Sequence, residues 1–174
     1  MHIIYLPGGS VKNKDWIEAV KENFDKFSTG DILYYDHWKT GDENLNFQVE
    51  LKKLKELTKG KKDYSIFSKS IGSVLALNSI YNKLINPQEL AVCGHPYKLA
   101  KDLNFQIDDY LKFLTIPSVF IQNEFDPLFS YVELEKVLKN NSPVNYFLQK
   151  NPDLKTHDYD DYQNLVKIVQ FFFT

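Results

Sequence analysis

The sequence predicts a three-layer α/β protein, with a parallel sheet between two layers of helices. Six short apolar or aromatic runs alternate with longer segments whose apolar residues recur every three or four positions. Continuous apolar runs are typical of strands buried on both faces, and regular alternation with helices favours a parallel sheet. The 174 residues contain no repeat, linker or low-complexity segment, so we expect one domain, 1–174.

The predicted strands are separated by segments long enough for helical crossovers. Right-handed crossovers place the carboxyl ends of all parallel strands at one edge, so a site is expected there. The strands are His2–Leu6, Ile32–Asp36, Tyr64–Ser68, Leu90–Gly94, Ser118–Gln122 and Asn145–Gln149.

Each predicted helix carries one apolar stripe. Asp15–Glu18 and Ser130–Glu133 resemble capping boxes at the starts of two helices. The segment Tyr97–Phe113 is long enough for one helix but not for a cap domain. The stripes are Trp16, Val20, Phe24 and Phe27; Phe47, Leu51 and Leu54; Val74, Leu77 and Tyr81; Leu134, Val137 and Leu138; and Tyr162, Leu165, Val166, Val169 and Phe172.

Composition argues against several classes of partner. The 23 acidic and 21 basic residues nearly balance, and every basic residue is lysine, so bidentate guanidinium contacts to guanine or phosphate are impossible. The single cysteine, Cys93, cannot form an internal disulfide and is expected to be buried. No stretch has the length of a membrane span, and the amino terminus lacks signal-peptide features. We therefore expect a cytoplasmic protein that binds neither nucleic acid nor membrane.

Ser70 lies where a predicted strand turns into a helix. The run Asp63–Ser68 leads into Lys69 and Ser70, and small and apolar residues with helical character follow at once. A side chain at such a corner points away from the sheet edge, and the next helix aims free backbone N–H groups at it. A nucleophilic serine needs this geometry.

Other reactive residues follow the remaining strands. His157 is the candidate base, and Asp126 is the candidate acid that orients it. The Gly9 and Ile71 N–H groups are the candidate oxyanion donors. We expect the pocket to be lined by Gly8, Ser10, His37, Trp38, His95 and Tyr97. Trp38 is equally consistent with core packing.

The motifs Leu6–Ser10, Ser68–Gly72, Gln122–Asp126 and Thr156–Asp158 resemble those of the α/β-hydrolase superfamily, in the order Ser, Asp, His. The chain is most similar to small, lidless serine hydrolases such as the retinoblastoma-binding-protein type. The resemblance covers nearly the whole chain and implies a six-stranded sheet of order 2-1-3-4-5-6 without a cap. Ser68 replaces the first glycine of the Gly-x-Ser-x-Gly elbow, and Pro7 stands where many relatives carry histidine.

Simpler interpretations of these residues remain open. Ser70 could cap the next helix, and Asp126 could do the same for its own. Glu124 and Asp153 are alternative acids for the histidine. His157 could be a surface residue, or could join Asp158, Asp160 and Asp161 at a metal, although no second histidine or cysteine has ligand spacing. Lys69 could suggest a Ser–Lys dyad, but adjacent residues at a corner point apart.

The sequence thus supports two hypotheses about function. The first is a serine hydrolase that cleaves a small carboxylic ester, thioester or amide through an acyl-enzyme, as a monomer or homodimer, without cofactor or metal. The second is a weakly active or non-catalytic binding or regulatory module that keeps the fold, motivated by the altered elbow and the missing lid. A nucleotide-binding domain is disfavoured because Gly-x-Gly-x-x-Gly and Walker patterns are absent.

Overall fold

Six parallel strands form the central sheet in a computed structural model that describes residues 1–41, 45–141, 143–152 and 154–173. The strands are β1 (His2–Leu6), β2 (Thr29–Ile32), β3 (Ser65–Lys69), β4 (Leu90–Cys93), β5 (Ser118–Asn123) and β6 (Tyr146–Asn151). They lie in the order β2-β1-β3-β4-β5-β6, and every neighbouring pair is parallel. The predicted fold class and strand order are therefore confirmed.

Apolar side chains cover both faces of this sheet. Every residue of β3, β4 and β5 is buried, whereas the edge strands β2 and β6 are partly exposed. Successive residues of a strand point to opposite faces, so Ile66 belongs to one hydrophobic cluster and Phe67 to the other. Strands buried in this way read as continuous apolar runs in the sequence, which is why they were recognisable.

The helices pack as two layers against these clusters. Apolar residues of α1 and α8 join the cluster around Phe67, and those of α3, α4, α6 and α7 join the cluster around Ile66. The helices are α1 (Asn13–Phe24), α2 (His37–Thr40), α3 (Phe47–Thr58), α4 (Ile71–Tyr81), α5 (Tyr97–Asp102), α6 (Ile107–Lys112), α7 (Tyr131–Asn141) and α8 (Tyr162–Phe172).

Three local predictions were wrong. The second strand lies at Thr29–Ile32 rather than Ile32–Asp36, because pairing with β1 includes Gly30 and Asp31 in spite of their low strand propensity. The segment Tyr97–Phe113 forms two short helices, which are separated by a turn containing Asn104 at φ 61°. The helix α1 begins at Asn13, so Asp15 lies inside its first turn and does not cap it. The Ser130–Glu133 capping box is present.

Among the described residues, no helix has both the length and the apolar character needed to cross a membrane.

Candidate active site

Ser70 joins β3 to α4 in a strained backbone conformation, with φ 51° and ψ −126°. A non-glycine residue in such a region costs about 1–3 kcal/mol, so the surrounding structure must impose it. Ser70 occupies the N-cap position of α4, yet its side chain makes no capping hydrogen bond. The hydroxyl is thus left available at the sheet edge, and the helix-cap interpretation does not describe it.

Small residues on either side allow this corner to form. A Cβ at Gly72 would collide with the carbonyl oxygens of Leu6 and Pro7, because the start of α4 crosses close to the end of β1. Ser68 is fully buried, and its hydroxyl donates a 3.1 Å hydrogen bond to the Ala91 carbonyl of β4. Serine therefore fits where the hydrolase elbow has glycine, since its one polar group is satisfied.

His157 and Asp126 form a hydrogen-bonded pair at the same edge. His157 Nδ1 lies 2.8 Å from Asp126 Oδ2. The Asp126 carboxylate is buried and also accepts hydrogen bonds from the Tyr159 hydroxyl at 2.9 Å and the Leu128 amide at 2.9 Å. A carboxylate held by three donors has a fixed orientation, and it directs the ring of His157 in turn.

The loop that carries His157 is anchored to the end of β5. The Asn123 side-chain amide donates to the carbonyl of Thr156 at 2.8 Å and to that of Asp158 at 2.9 Å, one on each side of the histidine. Gly94 has φ +60°, and a Cβ there would press against the rings of His157 and Tyr159. His157 therefore packs against the backbone of Gly94, and hydrogen bonds from Asn123 fix the loop on both sides of it.

His157 Nε2 is buried and lacks a hydrogen-bond partner in the described part of the chain. Ser70 and His157 both line one cleft of about 690 Å³. Within the described ranges the Ser70 hydroxyl also forms no hydrogen bond. The structure thus places Ser70 and His157 in the lining of one cleft, each with a polar side-chain atom that has no hydrogen-bond partner in the described part of the chain.

Two backbone amides near Ser70 are unpaired as well. Neither Gly9 N–H nor Ile71 N–H donates a backbone hydrogen bond among the described residues. The position that a Gly9 Cβ would take lies 3.3 Å from Ile71 Cγ2, so the two segments are in contact. The Ile71 amide is also the first of α4, where intrahelical partners do not exist. This arrangement could stabilise a negatively charged oxygen.

The turn that bears Gly9 is held by three side chains from the segment after β2. The Tyr35 hydroxyl donates to the Pro7 carbonyl at 2.7 Å, and Trp38 Nε1 donates to the Gly9 carbonyl at 2.8 Å. His37 Nε2 lies 2.6 Å from the same Gly9 oxygen and must donate, because a carbonyl only accepts. His37 Nε2 and Trp38 Nε1 are therefore engaged with the turn, whereas His37 Nδ1 is buried without a hydrogen-bond partner among the described residues.

A second cleft, of about 640 Å³, lies on the other side of Ser70 and is mainly apolar. His37 and Ser10 line it, as predicted for pocket residues, and Ser10 also lines the cleft that contains His157. The apolar lining residues lie in or near α1, α3, α4 and α5: Val11, Leu45, Phe47, Ile71, Leu99 and Leu103.

Four residues predicted to line the pocket line neither cleft. Trp38 packs against the hydrophobic cluster around Ile66, as the alternative interpretation of core packing expected. His95 is fully buried and T-shaped against Phe120, because its ring points into the core behind α4. The Tyr97 hydroxyl donates to Asp108 at 2.6 Å, which directs it to α6. Gly8 is buried against the Asn13 side chain and lines neither cleft.

Two of the acidic residues in the alternative interpretations have partners of their own. Glu124 pairs with Lys150 at 3.1 Å, and Asp161 caps α8 through the Asn164 amide. Asp153 lies outside the described residues. In the portion of the chain that the structure covers, no three His, Cys, Asp or Glu side chains cluster closely enough to hold a metal ion.

No protein-family model and no curated protein sequence matches this chain. Three similar solved structures are an uncharacterized protein from Bacillus cereus ATCC 10987, a lipase-esterase related protein from Clostridium acetobutylicum ATCC 824, and mouse alpha/beta hydrolase domain-containing protein 10. Identities are 18%, 14% and 10%, and TM-scores are 0.76, 0.73 and 0.73, with 98% of this chain covered in each. The chain spans 59%, 93% and 88% of their lengths.

Together with the strand order, these likenesses show the α/β-hydrolase fold.

Proposed function

We propose that this chain is a serine hydrolase that cleaves a small carboxylic ester, thioester or amide through an acyl-enzyme intermediate. One observation carries the proposal. Ser70, which is strained and has an unpaired hydroxyl, lines the same cleft as His157, whose Nδ1 lies against the Asp126 carboxylate and whose Nε2 is unpaired. The α/β-hydrolase fold supports this chemistry by analogy with the hydrolases that share it.

In the proposed reaction, Ser70 Oγ attacks the substrate carbonyl carbon while His157 Nε2 takes the hydroxyl proton. Asp126 holds the imidazole in the required tautomer and stabilises its cationic form. The Gly9 and Ile71 amides stabilise the oxyanion. The intermediate collapses when the carbonyl-to-leaving-group bond breaks, and the leaving group takes the proton from His157. Water, activated by the same histidine, then releases the acid and restores Ser70.

Covalent labelling with a fluorophosphonate probe, followed by peptide mass spectrometry, tests this mechanism. We expect stoichiometric adduct on Ser70 in the wild type and no adduct in Ser70→Ala. His157→Gln should slow labelling by roughly 100- to 10,000-fold, because general-base catalysis contributes that much.

His2→Gln is a matched control. His2 Nε2 also contacts a carboxylate, Asp31, at 3.1 Å, but at the amino-terminal end of the sheet. Labelling should be unchanged in this variant. A folded wild type that leaves Ser70 unmodified would refute the proposal and turn attention to the binding-module hypothesis.

A further inference from the structure

Lys69 directly precedes the candidate nucleophile in the chain and has a mostly buried side chain. Its side chain is almost fully enclosed, at 5% exposure, and it lines the same cleft as Ser70 and His157. The Nζ atom lies 4.3 Å from the centroid of the Trp16 ring. It makes no ion pair or hydrogen bond with the described residues. The three donors of this ammonium are therefore unused apart from the contact with the indole.

The fold dictates this position of Lys69. Phe67 and Lys69 are two residues apart on β3, so they point to the same face of the sheet, where α1 packs. Trp16 of α1 stacks on Phe67 at 6.2 Å and lies under the Lys69 ammonium. The lysine stem is held along this aromatic surface, and its charged end reaches the cleft at the sheet edge.

The carboxylates around Lys69 only partly compensate for the loss of hydration of its ammonium group. Burial lowers the pKa of Lys69, while the carboxylates of Asp158, Asp160 and Asp126 act in the opposite direction. Asp158 and Asp160 are exposed at the cleft rim, as are Asp15 and Lys12, so solvent screens them. A ligand oxygen at Nζ would supply the hydrogen bonds that burial removed, and a carboxylate supplies them best.

The position of His157 indicates which part of a substrate meets Lys69. The base must return its proton to the leaving group, so the leaving group occupies the cleft that His157 lines. The acyl group then occupies the opposite, mainly apolar cleft. Lys69 lines the same cleft, so it lies on the side of the leaving group.

We propose that Lys69 is a specificity-determining residue that binds a carboxylate on the leaving group of the substrate. The proposal rests on the proposed serine-hydrolase function. It assigns the substrates to esters, thioesters or amides whose leaving group is a hydroxy acid, a mercapto acid or an amino acid, respectively. In each case the bond between the carbonyl carbon and the departing O, S or N breaks, the acyl group stays on Ser70, and the departing atom takes the proton from His157. The released alcohol, thiol or amine keeps its own carboxylate.

Paired substrates test this assignment. We would measure kcat/KM for 3-acetoxybenzoate, whose leaving group is anionic, and for its neutral methyl ester. The anion-to-ester ratio should fall about tenfold or more in Lys69→Met, as expected for loss of a charge-assisted hydrogen bond. Comparing ratios cancels the intrinsic reactivity of the two esters. An unchanged ratio would overturn the proposal.

Lys14→Met is the control, since Lys14 is an exposed positive charge in the first turn of α1, the helix that carries Trp16, and lines neither cleft. Its ratio should equal that of the wild type. Lys69→Gln provides a second variant, and circular dichroism with thermal melting reports whether each variant is folded. An equal fall in Lys14→Met would mean that net charge, not Lys69, selects the anion.

A binding measurement separates this proposal from the proposed function. Calorimetry with the product analogue 3-hydroxybenzoate and its methyl ester needs no turnover. We expect Lys69→Met to weaken binding of the anion about tenfold or more and to leave binding of the ester unchanged. Absence of Ser70 adduct with intact anion selectivity would refute only the hydrolase. Ser70 adduct with equal anion affinity in wild type and Lys69→Met would refute only the Lys69 site.

Discussion

The hydroxyl of Ser73 donates a 2.6 Å hydrogen bond to the carbonyl oxygen of Ser70. The Ser73 amide donates to the same oxygen at 2.8 Å. This carbonyl and the Ile71 N–H belong to one peptide group, so two bonds to its oxygen fix the direction of the N–H and polarise it. Ser73 thus acts on the candidate oxyanion donor without touching a substrate.

His95 completes this arrangement from the core. Its Nδ1 lies 2.8 Å from Ser73 Oγ, and it must donate, because the Ser73 proton is already used on Ser70. The His95 amide in turn donates to Gln122 Oε1 at 3.0 Å. A buried polar chain therefore runs from β5 to the elbow.

We expect Ser73→Ala to lower the rate of Ser70 labelling by about tenfold while destabilising the fold by only about 1 kcal/mol, the usual net worth of one hydrogen bond. Labelling kinetics and urea unfolding would measure the two effects. Ser79→Ala is the control, since Ser79 also donates to a buried helical carbonyl, that of Leu75 at 2.8 Å. Equal loss of labelling in both variants would contradict the positioning role.

The burial of His95 predicts a specific pH dependence of stability. Burial lowers the pKa of His95 from 6.5 to about 3. Between about pH 6.5 and pH 3, His95 therefore binds a proton in the unfolded chain but not in the folded chain. The free energy of unfolding decreases as the pH falls through this range. The slope is about 1.4 kcal/mol per pH unit for one proton.

Urea unfolding of wild type and His95→Gln between pH 6 and 4 would measure this term. As the pH falls, the free energy of unfolding of the wild type should decrease more steeply than that of His95→Gln. The difference in slope should correspond to nearly one proton, because glutamine does not titrate. Other groups contribute equally to both proteins and cancel. Parallel curves would show that His95 is not protected from protonation.

Gly72→Ala should strongly destabilise the fold. The added Cβ would meet the Leu6 and Pro7 carbonyl oxygens, which are backbone atoms that cannot rotate away. We expect a loss of about 3 kcal/mol, near the upper end for overpacking. Gly60→Ala is the comparison, since a Cβ there meets open space and only the positive φ adds about 1–2 kcal/mol. Thermal melting would rank the two, and a smaller loss in Gly72→Ala would be inconsistent with the close crossing.

Asn123→Asp should release the loop that carries His157. The carboxylate would face the carbonyls of Thr156 and Asp158, to which the amide now donates. We expect Ser70 labelling to slow about tenfold or more, since small displacements of a catalytic group are costly. Asn82→Asp removes a similar side-chain bond, to the Asn78 carbonyl at 2.9 Å, on an exposed turn. Its labelling rate should match the wild type; a full rate in Asn123→Asp would show that the loop needs no anchor.

The sequence was most informative where one physical requirement dominates. Buried strands such as β5 appear as apolar runs, and the residues that follow them, including Ser70 and Asp126, could be assigned to one edge from topology alone. β2 was misplaced because Thr29, Gly30 and Asp31 become a strand only through pairing with β1. A local pattern cannot reveal such a partner.

The supporting residues of the site were harder to find for a related reason. Asn123, Ser73 and Tyr159 act through hydrogen bonds to backbone or to other side chains, and a sequence does not show which carbonyl will lie nearby. His95 follows a strand as the site residues do, yet its ring turns inward. The direction of a side chain just after a strand depends on the local backbone, which composition does not determine.

The strand order has a consequence for synthesis of the protein. Ser70 follows the third strand along the chain, whereas Asp126 and His157 follow the last two, which extend the sheet outward at one side. Because chains emerge from the ribosome amino terminus first, a nascent chain carries the serine long before it carries the histidine. The hydroxyl is then an ordinary alcohol, so the proposed chemistry waits until translation of the final strand and loop is complete.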